Sequence, residues 1–220
     1  DDGTTPLSVA SLAGQIDCAR LMIAAGAAVN QVDASGFTPL YAACEDGHLE
    51  WARLLLGANA AANQANVNGA TPLFIACQNG HLECAQLLLE AGAAMDQADE
   101  EGATPLLVAS QTGEIDCVRL MIAAGAAVNQ ADSEGLTPLY VACQNGHLEC
   151  ARLLLEAGAA VSQAKKNGVT PLFVACQRGQ LEFARLLLEA GAAVNQAEED
   201  GVMPLSMACA AGHLEVVQLL

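Results

Sequence analysis

A chain of 220 residues with 8 basic and 25 acidic side chains carries a net charge of −17. That balance argues against nucleic acid, whose affinity comes largely from Lys and Arg on phosphate, and against an anionic membrane surface. It suits solubility and a partner with basic character. Apolar residues make up 53% of the chain but aromatic ones only 3%, which predicts a core of alanine and leucine with closely approaching helices. The longest apolar run, Leu21 to Val29, includes Gly26 and falls far short of the roughly 18 residues that span a bilayer.

The prolines are Pro6, Pro39, Pro72, Pro105, Pro138, Pro171 and Pro204, each 33 residues after the last, and there are no others. A strict period of about 20 to 50 residues marks a stacked repeat. Each repeat then contacts only its neighbours, so residues 1–220 read as one array. The repeats open near Gly3, Gly36, Gly69, Gly102, Gly135, Gly168 and Gly201, the seventh being incomplete. The chain starts in mid-motif at Asp1, shows no signal peptide, stops at Leu220 inside the last helix and carries no polar capping repeat. It is expected to be a fragment of a longer array or a larger protein.

Residues 33–65 stand for all repeats. Asp33-Ala34-Ser35-Gly36 is a turn. Thr38 is a good N-cap, and Pro39 suits the first helical position. Leu40, Ala43 and Cys44 share one face of a short helix that runs to about Asp46 and breaks at Gly47. A second helix follows from Leu49 to Gly57, with Leu49, Ala52, Leu55 and Leu56 as its apolar stripe. Asn59 stands where other complete repeats have Gly26, Gly92, Gly125, Gly158 or Gly191, which fits a left-handed helix end. The remainder, to the next turn glycine, reads as a hairpin-like connection.

Turn, helix, turn, helix in 33 residues, with Thr-Pro-Leu opening the first helix, resembles the ankyrin repeat family. The matching residues include Gly36, Thr38, Pro39, Leu40, Ala43, Gly47-His48-Leu49-Glu50, Leu54-Leu55-Leu56 and Asn63, and the resemblance covers the whole chain. It implies an all-α solenoid of stacked helix-turn-helix repeats joined by β-hairpin-like loops. It also implies a protein-binding role, with the first helices lining a concave groove. Three departures stand out. The family's His after Thr-Pro-Leu is replaced by Ser8, Tyr41, Phe74, Leu107, Tyr140, Phe173 and Ser206, which puts the usual inter-repeat hydrogen bonds in doubt and favours apolar packing. An Asp after the second helix becomes Ala28, Ala61 or Ala94, and Met203 replaces the last N-cap threonine.

Repeats one and four share a variant: Leu21 through Gln31 matches Leu120 through Gln130 residue for residue. Repeats two and three resemble five and six, so a three-repeat block reads as duplicated, and any binding surface is then present twice.

Catalysis has no support in the residues. The histidines, His48, His81, His147 and His213, form one column that is His in the family for structural reasons. No Ser, His and acid set or glycine-rich phosphate loop exists, so neither an enzyme nor a cofactor is expected. Cys77, His81 and Cys84, and likewise Cys143, His147 and Cys150, have spacings open to zinc. Each also sits in a repeat column, where cysteine serves as a small buried filler. Nine thiols fit a reducing compartment, cytoplasmic or nuclear.

Arg20, Arg53, Arg119, Arg152 and Arg185 each follow an acid by three residues and read as a solvated face. The remaining cations, Lys165, Lys166 and Arg178, make a basic spot, while Glu100 and Glu101 belong to acidic loop tips. Tyr41, Phe74, Leu107, Tyr140 and Phe173 form the column after Thr-Pro-Leu, open either to inter-repeat packing or to recognition in the groove. Positions that vary freely are the loop tips, the residue after the turn glycine (Phe37, Leu136) and the end of the first helix. That end reads Glu45-Asp46, Gln78-Asn79, Gln111-Thr112, Gln144-Asn145 and Gln177-Arg178. By the resemblance, these residues recognise a partner protein or peptide, and the chain is a monomeric interaction module. An architectural spacer and a zinc-stabilised array stand as alternatives.

Overall fold

Threonine and proline set the start of the repeat. In the computed structural model, which describes residues 5–12 and 15–220, Thr38, Thr71, Thr137 and Thr170 each accept the N–H three residues on, from Tyr41, Phe74, Tyr140 and Phe173, at 3.0–3.2 Å. These threonines are at most 2% exposed, so each supplies a cap bond that water cannot replace. The turn glycine Gly3 and the side chains of Ser8 and Ser11 lie outside the described residues.

The first helices are α1 (Pro6–Leu12), α3 (Pro39–Glu45), α5 (Pro72–Gln78), α7 (Pro105–Thr112), α9 (Pro138–Asn145), α11 (Pro171–Arg178) and α13 (Pro204–Ala211). The second helices are α2 (Ile16–Ala24), α4 (Leu49–Gly57), α6 (Leu82–Glu90), α8 (Ile115–Ala124), α10 (Leu148–Glu156), α12 (Leu181–Glu189) and α14 (Leu214–Leu219). Among the described residues there is no strand. The expected helices of repeat two agree with α3 and α4 to within a residue. Asn59 takes φ 63° as the one left-handed non-glycine described, as its substitution for glycine predicts.

The connections are tight turns rather than extended ribbons. Asp33 Oδ1 accepts the N–H of Ser35 and of Phe37, both at 2.9 Å, and the Asp33 N–H donates to the Phe37 carbonyl at 3.1 Å. Asp99 and Asp132 hold their own turns in the same way. These acids at the loop tips are turn-formers first.

The contacts divide the chain into two bodies: residues 1–105 with 123–126, and residues 106–122 with 127–220. In the first, α3 packs on α1, α4 and α5, and α4 on α6. Leu40, Leu73, Leu55 and Leu88 are fully buried there. In the second, α11 packs on α9, α12 and α13, and α12 on α10 and α14, around Leu139, Leu172, Leu154 and Leu187. Alanine and cysteine at 0–1% exposure (Ala43, Ala76, Cys44, Cys77, Cys143, Cys176) let the helices close on each other.

The stripe on the second helix differs from its expectation. Trp51, Ala52 and Leu55 are buried, while Leu49 and Leu56 are half-buried at the edges. The helix meets both its own first helix and the next repeat's second helix, so its covered face is centred on Ala52 and Leu55. Of the acid–arginine pairs, Glu50–Arg53 and Glu149–Arg152 close to 3.9 and 3.6 Å. All four side chains are about half exposed or more, so the pairs add little.

Candidate interaction surface

The column after Thr-Pro-Leu is interior. Tyr41, Phe74, Leu107, Tyr140 and Phe173 are 4%, 7%, 1%, 2% and 4% exposed. Of the two readings open to this column, the structure takes packing, and the expectation that these five side chains offer themselves to a ligand is corrected. The physical reason is close stacking of successive first helices, as of α3 on α5 and α9 on α11. Phe37 stacks on Tyr41 with ring centroids 4.6 Å apart. Burial, with Glu45 beside it, pushes the Tyr41 phenol up to about 12 against the pull of a hydrogen bond from Asn66. Tyr140 is also raised by burial, while Arg178 beside it acts the other way.

The ends of the first helices are the exposed part. Asp46, Asn79, Gln111, Thr112, Asn145, Gln177 and Arg178 are exposed, and Glu45, Gln78 and Gln144 half-buried. Burial and the neighbouring Asp46 raise the Glu45 carboxyl above its usual range. The asparagines of this group are already engaged. Asn79 Nδ2 donates to the Glu45 carbonyl at 3.0 Å, and Asn145 Nδ2 to the Gln111 carbonyl at 2.8 Å. Each amide closes the end of the preceding repeat's first helix with one of its two N–H groups.

Inter-repeat hydrogen bonds therefore exist, but not where the missing family histidine would have made them. His81, His147 and His213 Nε2 bond the carbonyls of Glu45, Gln111 and Gln177 at 3.0–3.1 Å. Asn30, Asn63 and Asn129 accept the N–H of Ala61, Ala94 and Ala160 at 2.7–2.8 Å, and Ser162 that of Ala193. Ala61 and Ala94 stand in the column where the family has Asp, and the backbone N–H carries the bond. The signal for the second set of bonds is a polar side chain every 33 residues, at Asn30, Asn63, Asp96, Asn129 and Ser162.

Lys165, Lys166 and Arg178 all lie in the second body. Lys165 Nζ lies 6.0 Å from the Tyr140 ring centre, the outer limit of a cation–π contact. Lys166 Nζ is 3.8 Å from Glu134, both side chains about 70% exposed. Lys166 is exposed and Lys165 and Leu136 half-buried; Glu100 and Glu101, in the first body, are exposed at their loop tip.

The cysteine and histidine clusters are poorly arranged for metal. Cys77 lies on α5 and Cys84 on α6, both buried, and His81 Nε2 is spent on Glu45. Burial pushes the thiols of Cys143 and Cys150 up to about 12 and 11, which disfavours the thiolate a metal needs. The Cys84 thiol instead meets that of Cys44, and this bond, with burial, holds Cys44 well above its ordinary value. Among the described residues no group of three or more His, Cys, Asp or Glu is placed to hold a metal ion. A hollow of about 440 Å³ is lined by Ile16, His48, Leu49, Glu50 and Trp51, none of them a candidate recognition residue.

Capped short helices in register, second helices stacked behind them and a polar ladder between repeats define a stacked helical-repeat protein. The family model for ankyrin repeats (3 copies) matches residues 1–64, 53–132, 92–165, 120–197 and 159–220. The chain belongs to the ankyrin repeat family. The crystal structure of the human ASB11 ankyrin repeat domain is similar to it, with 31% identity and a TM-score of 0.86 over 98% of this chain and 97% of that one. No curated protein matches. Ankyrin repeats are in general protein-interaction modules, not catalysts. Among the described residues no helix is long and apolar enough to cross a membrane.

Proposed function

We propose that this chain binds a partner protein or peptide along the exposed ends of its first helices and the loop tips beside them, the groove side of an ankyrin array. The observation that carries the reading is that the first helices bury their apolar part and expose a polar end. Helix α9 is buried from Pro138 to Cys143 and α11 from Pro171 to Cys176. The residues that follow, Gln144-Asn145 and Gln177-Arg178, are polar and face solvent in whole or part, with glutamine kept in both repeats and Asn145 replaced by Arg178. Gln144, Gln177 and Arg178 offer amide and guanidinium donors to a backbone. The net charge of −17 favours a partner of basic character, and Lys165, Lys166 and Arg178 set its register by accepting an acidic residue. Nucleic acid and membrane are disfavoured by the same charge. Nine cysteines in a chain of this length support a reducing, intracellular setting.

The test is selection from a random peptide library on the parent chain, with affinities then compared on a Gln144→Ala, Lys166→Ala, Gln177→Ala variant of matching circular dichroism. Peptides weakened at least about tenfold, or ~1.4 kcal/mol, place recognition on these helix ends. Peptides bound equally by both proteins place it elsewhere. A library that yields no binder favours the architectural spacer.

A further inference from the structure

Repeats two and three lie in the first body, and repeats five and six in the second. Each residue of the first pair has a counterpart three periods of 33, or 99 positions, further on. The two pairs are built alike where the first helix ends and the next loop enters. Tyr41 and Tyr140 are 4% and 2% exposed. The Val67 N–H donates to the Ser35 carbonyl at 3.2 Å, and the Lys166 N–H to the Glu134 carbonyl at 3.0 Å. Each loop therefore docks on the turn before it in the same register. Burial agrees as well. Glu45 and Gln144 are half-buried, as are Asn66 and Lys165, while Asp46 and Asn145, Val67 and Lys166, and Asn79 and Arg178 are exposed.

The charges carried on this common geometry are opposite. Around Tyr41 stand the acids Glu45 and Asp46, with Asn66, Val67 and Asn79 neutral. Around Tyr140 the counterparts Gln144 and Asn145 are neutral, and Lys165, Lys166 and Arg178 are cations. All five positions change in the same direction. On these turns and helix ends only Glu134, where the first pair has Ser35, runs the other way, and it lies 3.8 Å from Lys166. The two tyrosines register the difference. Glu45 helps to push the Tyr41 phenol up, whereas Arg178 pulls against the rise at Tyr140. Lys165 Nζ lies 6.0 Å from the Tyr140 ring centre, and Asn66, its counterpart, bonds Tyr41. The other five of the chain's eight cations all lie on second helices.

We propose that the surface of repeats five and six around Tyr140 docks a short acidic peptide segment, whose carboxylates meet Lys165, Lys166 and Arg178, and that the matching surface around Tyr41 excludes it. The inference rests on the reading that exposed helix ends recognise a partner, and it gives one of them a preference opposite to that of the chain as a whole. A local preference can differ from the net charge because the Debye length is about 10 Å at about 0.1 M salt, so the site's own side chains dominate. Gln144 and Gln177 supply amide donors and acceptors for the peptide backbone. Acidic turns bound the surface on both sides. Asp132 and Glu134 precede it, and the Glu199 N–H bonds the Asn167 carbonyl at 3.1 Å beyond it. A long polyanion would meet these acids, which is why the occupant is a short peptide stretch rather than a nucleic acid or a membrane.

Calorimetric titration of the whole chain with a short acetylated oligoglutamate peptide tests the proposal. In about 0.1 M salt one peptide should bind per chain, and affinity should fall in about 1 M salt, where the Debye length is about 3 Å. The triple variant Lys165→Asn, Lys166→Val, Arg178→Asn gives this surface the residues that repeat three already holds in the same geometry, so the fold tolerates them. Its affinity should drop at least about tenfold. A second triple variant, Arg53→Gln, Arg119→Gln, Arg185→Gln, also removes three cations, taking −17 to −20, but from exposed positions on second helices. It should bind as the parent does. The reverse exchange, Glu45→Gln, Asp46→Asn, Val67→Lys, Asn79→Arg, should add a second site and raise the stoichiometry to two. A parent that does not bind oligoglutamate overturns the proposal. So does an equal loss in both triple variants, or a reverse exchange that adds no site. If oligoglutamate fails while library-selected peptides still depend on Gln144 and Gln177, this inference falls and the helix-end reading stands.

Discussion

The ring of His81 lies over Gly47, with its Nε2 3.0 Å from the Glu45 carbonyl. A Cβ on Gly47 would stand 2.5 Å from His81 Nδ1, and Gly47 has φ 70°. Gly92 has φ 83° but meets nothing within 4 Å. Gly92→Ala should therefore cost only the left-handed backbone term, about 1–2 kcal/mol. Gly47→Ala should add displacement of the ring and loss of its hydrogen bond, about 1 kcal/mol more. Urea titration of the two variants reads the difference, and equal losses would contradict the packing of His81 on Gly47.

Met203 holds the N-cap position of α13 without a side-chain bond, where four other first helices carry a bonded threonine. Met203→Thr should stabilise the seventh repeat by about 1 kcal/mol. In the parent, amide exchange should be fastest in α13 and α14, whose N-cap bond is missing, and the variant should slow it there alone. Uniform protection across all repeats would rule the idea out.

Trp51 is 3% exposed, and its Nε1 has no hydrogen-bond partner among the described residues. An unmet buried donor costs about 1–3 kcal/mol. Phe183 fills the same column at 6% exposure. Trp51→Phe should be neutral or raise stability by up to about 1 kcal/mol, the lost indole contacts offsetting part of the gain. Thermal unfolding followed by circular dichroism measures it. A clear loss of stability would mean that the indole N–H is satisfied in solution.

The protein has two tyrosines, both shifted upward by burial, Tyr41 to about 12 from an ordinary 10.0. The folded chain keeps phenol protons that the unfolded chain has released, so above pH 10 the unfolded state binds fewer protons. Stability then falls as pH rises from about 10 to 12, and below that window the tyrosines contribute no pH dependence. Urea midpoints against pH should bend downward there, and tyrosinate absorbance should appear together with unfolding. Phenols that titrate near 10 in the folded protein would place Tyr41 and Tyr140 in solvent.

Legibility varied with the kind of feature. Helix ends were readable because Thr38, Pro39, Gly47 and Asn59 act through local backbone chemistry, and each does in the structure what its residue type implies. The exposed helix ends were readable because the period separates constant from variable columns. The fate of Tyr41 and Tyr140 was not readable. An aromatic ring at the second turn position of a short helix is inside or outside according to how closely the next repeat stacks, and no local signal carries that distance. The bonds of the Asn79 and Asn145 amides were not readable for the same reason, since their partners lie 34 residues away.

The 33-residue period by itself determined the repeat, its helices, its caps and the family, because each of these depends on residue type at fixed short spacing. Only the tertiary structure decided which face of each column is covered. It buried the aromatic column and set the hydrogen-bond ladder on His81, His147, Asn30 and Asn63. Burial is a property of what stands next to a repeat, and a periodic sequence writes the same residues whether or not a neighbour is there to cover them.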